Sequence, residues 1–115
     1  MIVGHRTGPV ATYPARVGDV GHIFEDDLVV DGASPDLAGA TVRFKAESGS
    51  AVIIDGLAAV VSASGPATVR YVCGADDLAV AGRLRGAWVV TYAGGGVQSF
   101  PSYGWIEVLV SEQIG

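Results

Sequence analysis

One cysteine, seven basic residues and hardly any helix-forming runs set the first limits on this 115-residue chain. A lone Cys73 excludes an intrachain disulfide. It follows the apolar run Val69, Tyr71, Val72 and reads as a buried, inert thiol. A nucleophile would need a base beside it and an oxyanion pocket, and both histidines, His5 and His22, stand far away in sequence. Neither has a metal-ligand neighbour at a suitable spacing. The basic residues are scattered and the net charge is −5, so no nucleic-acid partner is expected. The closest cationic pairs, Arg43 with Lys45 and Arg83 with Arg85, read as solvated faces. No window approaches the ~20 apolar residues that span a membrane, and no membrane partner is expected. The N-terminal MIVGHRTGPVATYPAR lacks a basic stretch followed by an apolar one, so no signal peptide is expected. GxSxG, HExxH, P-loop and CxxC patterns are all missing. Their absence leads us to expect no enzyme, no catalytic residue, no cofactor, no bound metal and no small-molecule substrate.

What is present is apolar residues and turn formers. Half the residues are hydrophobic and 17% are charged, a globular composition that fits one domain. Seventeen glycines without a collagen-like period, together with five prolines, punctuate many turns. Between them lie short β-branched runs. Asp19–Val30 reads as one strand or two, with an irregularity at Asp26-Asp27, and Asp31–Gly39 reads as a loop. Ala40–Ala46 alternates cleanly, with Ala40, Val42, Phe44 and Ala46 on a buried face and Thr41, Arg43 and Lys45 on the other. After a turn at Glu47–Ser50, Asp55-Gly56 between two apolar runs predicts a hairpin. Ser64-Gly65-Pro66 is another turn and Ala67–Cys73 another strand. Ala75–Ala81 offers one helical turn, with Asp76 and Asp77 at its N-terminus. Gly94-Gly95-Gly96 joins the strand ending in Ala87–Tyr92 to Val97–Phe100. It leads into a strand, so it reads as a hairpin loop and not as a phosphate cradle. In the final strand, Trp105–Val110, the core face is Ile106, Val108 and Val110. Roughly seven or eight antiparallel strands at this spacing predict a β-sandwich or barrel. Residues 1–15 lack strand periodicity and are expected to form an extended arm, with residues 16–115 as the folded domain.

Two features bear on binding. Glu25-Asp26-Asp27, with Asp31 and Asp36 nearby, offers oxygen ligands of the kind Ca²⁺ takes. EF-hand spacing is absent, and a solvated acidic strand end is the plainer reading. Tyr13, Phe24 and Tyr103 fall in or near expected loops, where exposed aromatics serve as interface anchors. Ile2 and Val3 could add the arm to a neighbour's sheet edge.

The stretch from about Arg16 to Val110 resembles the immunoglobulin-like domain of tailed-phage virion proteins, best known as the N-terminal module of baseplate upper proteins. The resemblance is carried by Val17-Gly18-Asp19, by Leu37-Ala38-Gly39-Ala40-Thr41-Val42-Arg43-Phe44, and by Val69-Arg70-Tyr71 with Asp76-Asp77 and Gly82. It continues through Trp88-Val89-Val90-Thr91-Tyr92, Val97-Gln98-Ser99-Phe100-Pro101 and Gly104-Trp105-Ile106-Glu107-Val108, in the family's order. Gly94-Gly95-Gly96 departs from the family's acidic-residue-and-glycine hairpin, and Leu84, Arg85 and Gly86 replace its usual tyrosine. The resemblance implies an antiparallel immunoglobulin-like β-sandwich. It also implies a structural virion protein, assembled in the host cytoplasm, that packs against other phage structural proteins or copies of itself. A tail or baseplate adaptor and a capsid decoration protein are both open. The alternative is a carbohydrate- or ligand-binding β-sandwich of adhesin type, with Trp105 or Tyr103 stacking on sugar. A third reading, a small enzyme, would need Cys73 or Glu25–Asp27 to lie in a pocket with a partner.

Overall fold

The computed structural model describes residues 9–29, 32–102 and 104–112. Eight strands are formed: β1 (Pro9–Arg16), β2 (Ile23–Leu28), β3 (Thr41–Ser48), β4 (Ala51–Ser62), β5 (Ala67–Val72), β6 (Gly82–Thr91), β7 (Val97–Phe100) and β8 (Trp105–Ser111). The described residues include no helix, and the all-β class expected from periodicity is what forms.

The strands follow one path, β1-β8-β6-β3-β4-β5-β2, with β7 paired to β6 beside it. β4 is what bends this path back on itself. Its first part, Ala51 to Ala58, pairs with β3, and its second part, from Ala59 on, pairs with β5. A register shift between Val60 and Ser62 marks the second part, and such bulges sharpen twist. The result is a compact, nearly closed sheet in which β1 and β2, the two ends of the path, come to face each other. All pairings are antiparallel except β1 with β8, which is parallel.

The core follows the alternation of the strands. Val42, Phe44 and Ala46 on β3 and Ile106, Val108 and Val110 on β8 are all buried, as their periodicity predicts. Phe44 sits at the centre, with ring centroids 4.8 Å from Trp88, 5.4 Å from Phe24, 5.6 Å from Tyr71 and 6.1 Å from Tyr13. Aromatic pairs at these separations stabilise beyond the area they bury.

Four expectations are corrected. Asp55-Gly56 is no hairpin, because β4 runs straight through it with Lys45 facing Asp55 and Phe44 facing Gly56. The glycine is required by packing: a Cβ there would collide with Cε1 of Tyr71. The turn expected within Glu47–Ser50 does form, at Gly49-Ser50 between β3 and β4, where Gly49 has φ +60°. Ala75–Ala81 is not helical. Its Asp77 carboxylate accepts from the Gly74 amide at 2.8 Å and from the Tyr71 hydroxyl, closing a tight turn that buries Leu78. A single turn without such tertiary support would not hold as helix. Asp26-Asp27 causes no irregularity, since β2 pairs with β5 in unbroken register. Residues 9–15 of the expected arm belong to β1 and pair along β8. The hairpin at Gly94-Gly95-Gly96 forms as expected, with Gly95 at φ +95° and the Tyr92 amide donating to the Gly96 carbonyl at 2.8 Å.

Both ends of the path carry features that discourage edge-to-edge pairing. β1 contains Pro14, which cannot donate to a ladder. β2 turns Asp26 inward between the buried Phe24 and Leu28. The seam between them is bridged by side chains: the Tyr13 hydroxyl donates to Asp26 Oδ2 at 2.6 Å and accepts from Trp88 Nε1 at 3.1 Å.

Candidate interaction surface

The aromatics expected as interface anchors go elsewhere. Phe24 is 3% exposed on β2, because its position alternates onto the core face. Tyr13 lies half-buried on β1, closing the seam. Burial, then the hydrogen bond to Asp26, raises the Tyr13 hydroxyl well above the ordinary tyrosine range. Neither is a free loop anchor. Ile2, Val3 and Tyr103 lie outside the described residues, as do His5 and Asp31.

The acidic stretch is divided by the strand that carries it. Glu25 and Asp27 point outward and Asp26 inward, so the three carboxylates do not converge. Each has its own partner: Arg70 at 3.0 Å from Glu25, Tyr13 at 2.6 Å from Asp26, and Thr68 at 2.7 Å from Asp27. Among the described residues no cluster of three metal-binding side chains occurs. Cys73 is 2% exposed. Burial, helped by the charges of Asp77 and Asp19, pushes its thiol up to about 12, so the reactive thiolate is disfavoured at neutral pH.

The outer faces of the strands hold two features that no short motif announced. The first is apolar. Across β2, β5 and β4, Glu25 faces Arg70 and Arg70 faces Ala59. Two residues along β2 and β5 from that pairing, Ile23 stands directly opposite Val72, and Leu57, two residues before Ala59, points outward from the part of β4 that pairs with β3. These three are 51%, 52% and 66% exposed. A separate depression of about 400 Å³ is lined by Val52, Ile53, Ala79, Val80 and Leu84 among others. Large aliphatic side chains gathered in this way mark contact surfaces more often than scattered ones do.

The second feature is a groove of about 370 Å³ on the outer face of β3, β6 and β8. Its floor is low because the small Ala87 stands opposite Lys45 in the register and Gly104 adds no side chain. Lys45, Glu47, Arg85 and Trp105 rise around it. Arg85 faces Glu47 on one side and Glu107 on the other, yet its guanidinium lies over the Trp105 ring, 4.1 Å from the centroid. Periodicity placed Lys45 and Trp105 on the outward faces of their strands. Their meeting depends on β6 pairing with both β3 and β8, which local sequence does not reveal.

No protein-family model matches the chain, and no curated protein sequence matches it. No helix among the described residues is long and apolar enough to cross a membrane.

Proposed function

We propose that the chain is an immunoglobulin-like structural protein of a tailed-phage particle, held by protein–protein contacts as a tail or baseplate adaptor or as a capsid decoration protein. The phage assignment rests on the ordered sequence resemblance from Arg16 to Val110. The strand pairing supports the fold half of this reading. An immunoglobulin-type sandwich places its second, fifth and fourth strands together, and its third, sixth and seventh together. Counting β7 and β8 as one interrupted strand along β6, this chain pairs β2 with β5 and β5 with β4, and β3 with β6 and β6 with β8, while the first part of β4 also pairs with β3 and joins the two sets.

The observation that carries the packing role is the exposed pair Ile23 and Val72, in register across β2 and β5, with Leu57 turned outward from β4. They lie on a sheet face that a monomer in water would normally make polar. Covering it would remove apolar surface from water at about 25 cal/mol per Å², and many weak copies of the contact on a symmetric particle would add by avidity. The test is mass spectrometry and electron microscopy of particles produced from the genome that encodes the chain. Many copies on the capsid lattice would assign decoration, and a few copies at the tail would assign an adaptor. Particles without the chain would end this reading.

A further inference from the structure

Six basic side chains lie among the described residues: Arg16, Arg43, Lys45, Arg70, Arg83 and Arg85. Four are engaged. Arg43 pairs with Asp55 at 2.8 Å, Arg70 with Glu25 at 3.0 Å and Arg83 with Glu107 at 3.5 Å, while Arg16 donates to the Glu112 carbonyl at 3.0 Å. Lys45 and Arg85 have no carboxylate within ion-pair distance among the described residues, although Glu47 and Glu107 stand directly opposite Arg85. Both free cations line the same groove. Glu47, on its rim, is likewise without a cationic partner there.

We propose that this groove binds an acidic saccharide, a sugar ring bearing a carboxylate. An arginine laid flat on an indole keeps its N–H edge free and fixed in plane, an arrangement suited to a carboxylate's two oxygens. Lys45 supplies a second, mobile point charge from the opposite wall. Glu47 accepts hydrogen bonds, and sugar hydroxyls donate them. The edge of Trp105 and the low floor at Ala87 offer apolar contact to a ring's C–H groups. The groove lies within the ordinary size range of small-ligand sites, about 300–1,000 Å³. This site is independent of the apolar row on the other face and stands without the packing role.

The test titrates the full chain with an oligogalacturonate and follows tryptophan fluorescence. Trp88 is fully buried and Trp105 is half-buried at the groove, so the signal change reports on the groove. Saturable binding is expected. It should weaken about tenfold or more in Lys45→Gln and in Arg85→Gln, as removal of a charge-assisted hydrogen bond does. Binding should fall with added salt and stay unchanged in Arg83→Gln, whose side chain lies outside the groove. Circular dichroism and thermal melting of each variant separate loss of binding from loss of fold, and all three side chains are exposed. No saturable binding would overturn the proposal. So would equal binding of the neutral galactose oligomer. Tighter binding of hexaglutamate would also overturn it and make the groove a peptide site.

Discussion

At the residue scale, burial controls the chemistry. The Cys73 thiol has its pKa pushed up to about 12 by burial first and by Asp77 and Asp19 second, against an ordinary value of about 8.5. Tyr13 and Tyr71 are raised as well, each by burial first and then by its carboxylate partner. All three are neutral when protonated and hold their protons more tightly in the folded state. Their contribution to stability is therefore complete below the unfolded-state values and declines as pH rises through the folded-state values. The chain should lose stability progressively above about pH 9, measured as a fall in the urea midpoint. Cys73 should resist iodoacetamide in the native state and react once the chain is denatured. Rapid native alkylation would show that the thiol is not where the fold puts it. Tyr13→Phe removes the hydroxyl that serves both Trp88 and Asp26. It should cost about 1–3 kcal/mol, because two partly buried polar groups lose their partner.

At the element scale, β4 is the decisive strand. Gly56→Ala places a methyl group against the Tyr71 side chain, with two ring carbons and the hydroxyl oxygen under 3 Å. It should cost about 1–3 kcal/mol by overpacking. A smaller residue at position 71 should remove much of that penalty, seen as coupling in a double-mutant cycle. Additive costs would mean the glycine serves another purpose. Gly56 also shows where sequence reading stopped. Alternation in Ala40–Ala46 and Trp105–Val110 declared the core faces because each strand repeats its own pattern. Asp-Gly carried a local turn signal that a distant ring overruled. β1 gave no such pattern, because a two-proline edge strand paired on one side only has little alternation to show. The segment at Ala75–Ala81 likewise depended on Tyr71 and Asp77 meeting, not on propensity.

At the scale of the whole molecule, both candidate surfaces are products of long-range pairing. Arg43 with Lys45 and Arg83 with Arg85 looked alike in sequence, as cationic pairs spaced by one residue. Only the register separates Arg43 and Arg83, which are ion-paired, from Lys45 and Arg85, which flank an open groove. The apolar row is equally illegible, since Ile23, Leu57 and Val72 come from three strands and each follows an unremarkable local pattern. Local sequence makes Tyr13 and Phe24 resemble loop anchors, because the strands that bury them depend on long-range pairing.

A charge placed in the middle of that row is the most direct test of how the chain works. Val72 is 52% exposed, so Val72→Glu should leave the fold and its melting temperature nearly unchanged, surface changes being worth about 0.5 kcal/mol or less. Particles assembled with wild-type or Val72→Glu chain would be purified and their content of the protein quantified by mass spectrometry. Wild-type chain in the particles, with the folded variant largely excluded, is the expected result. Equal incorporation of both, or particles lacking even the wild-type chain, would contradict packing through this face.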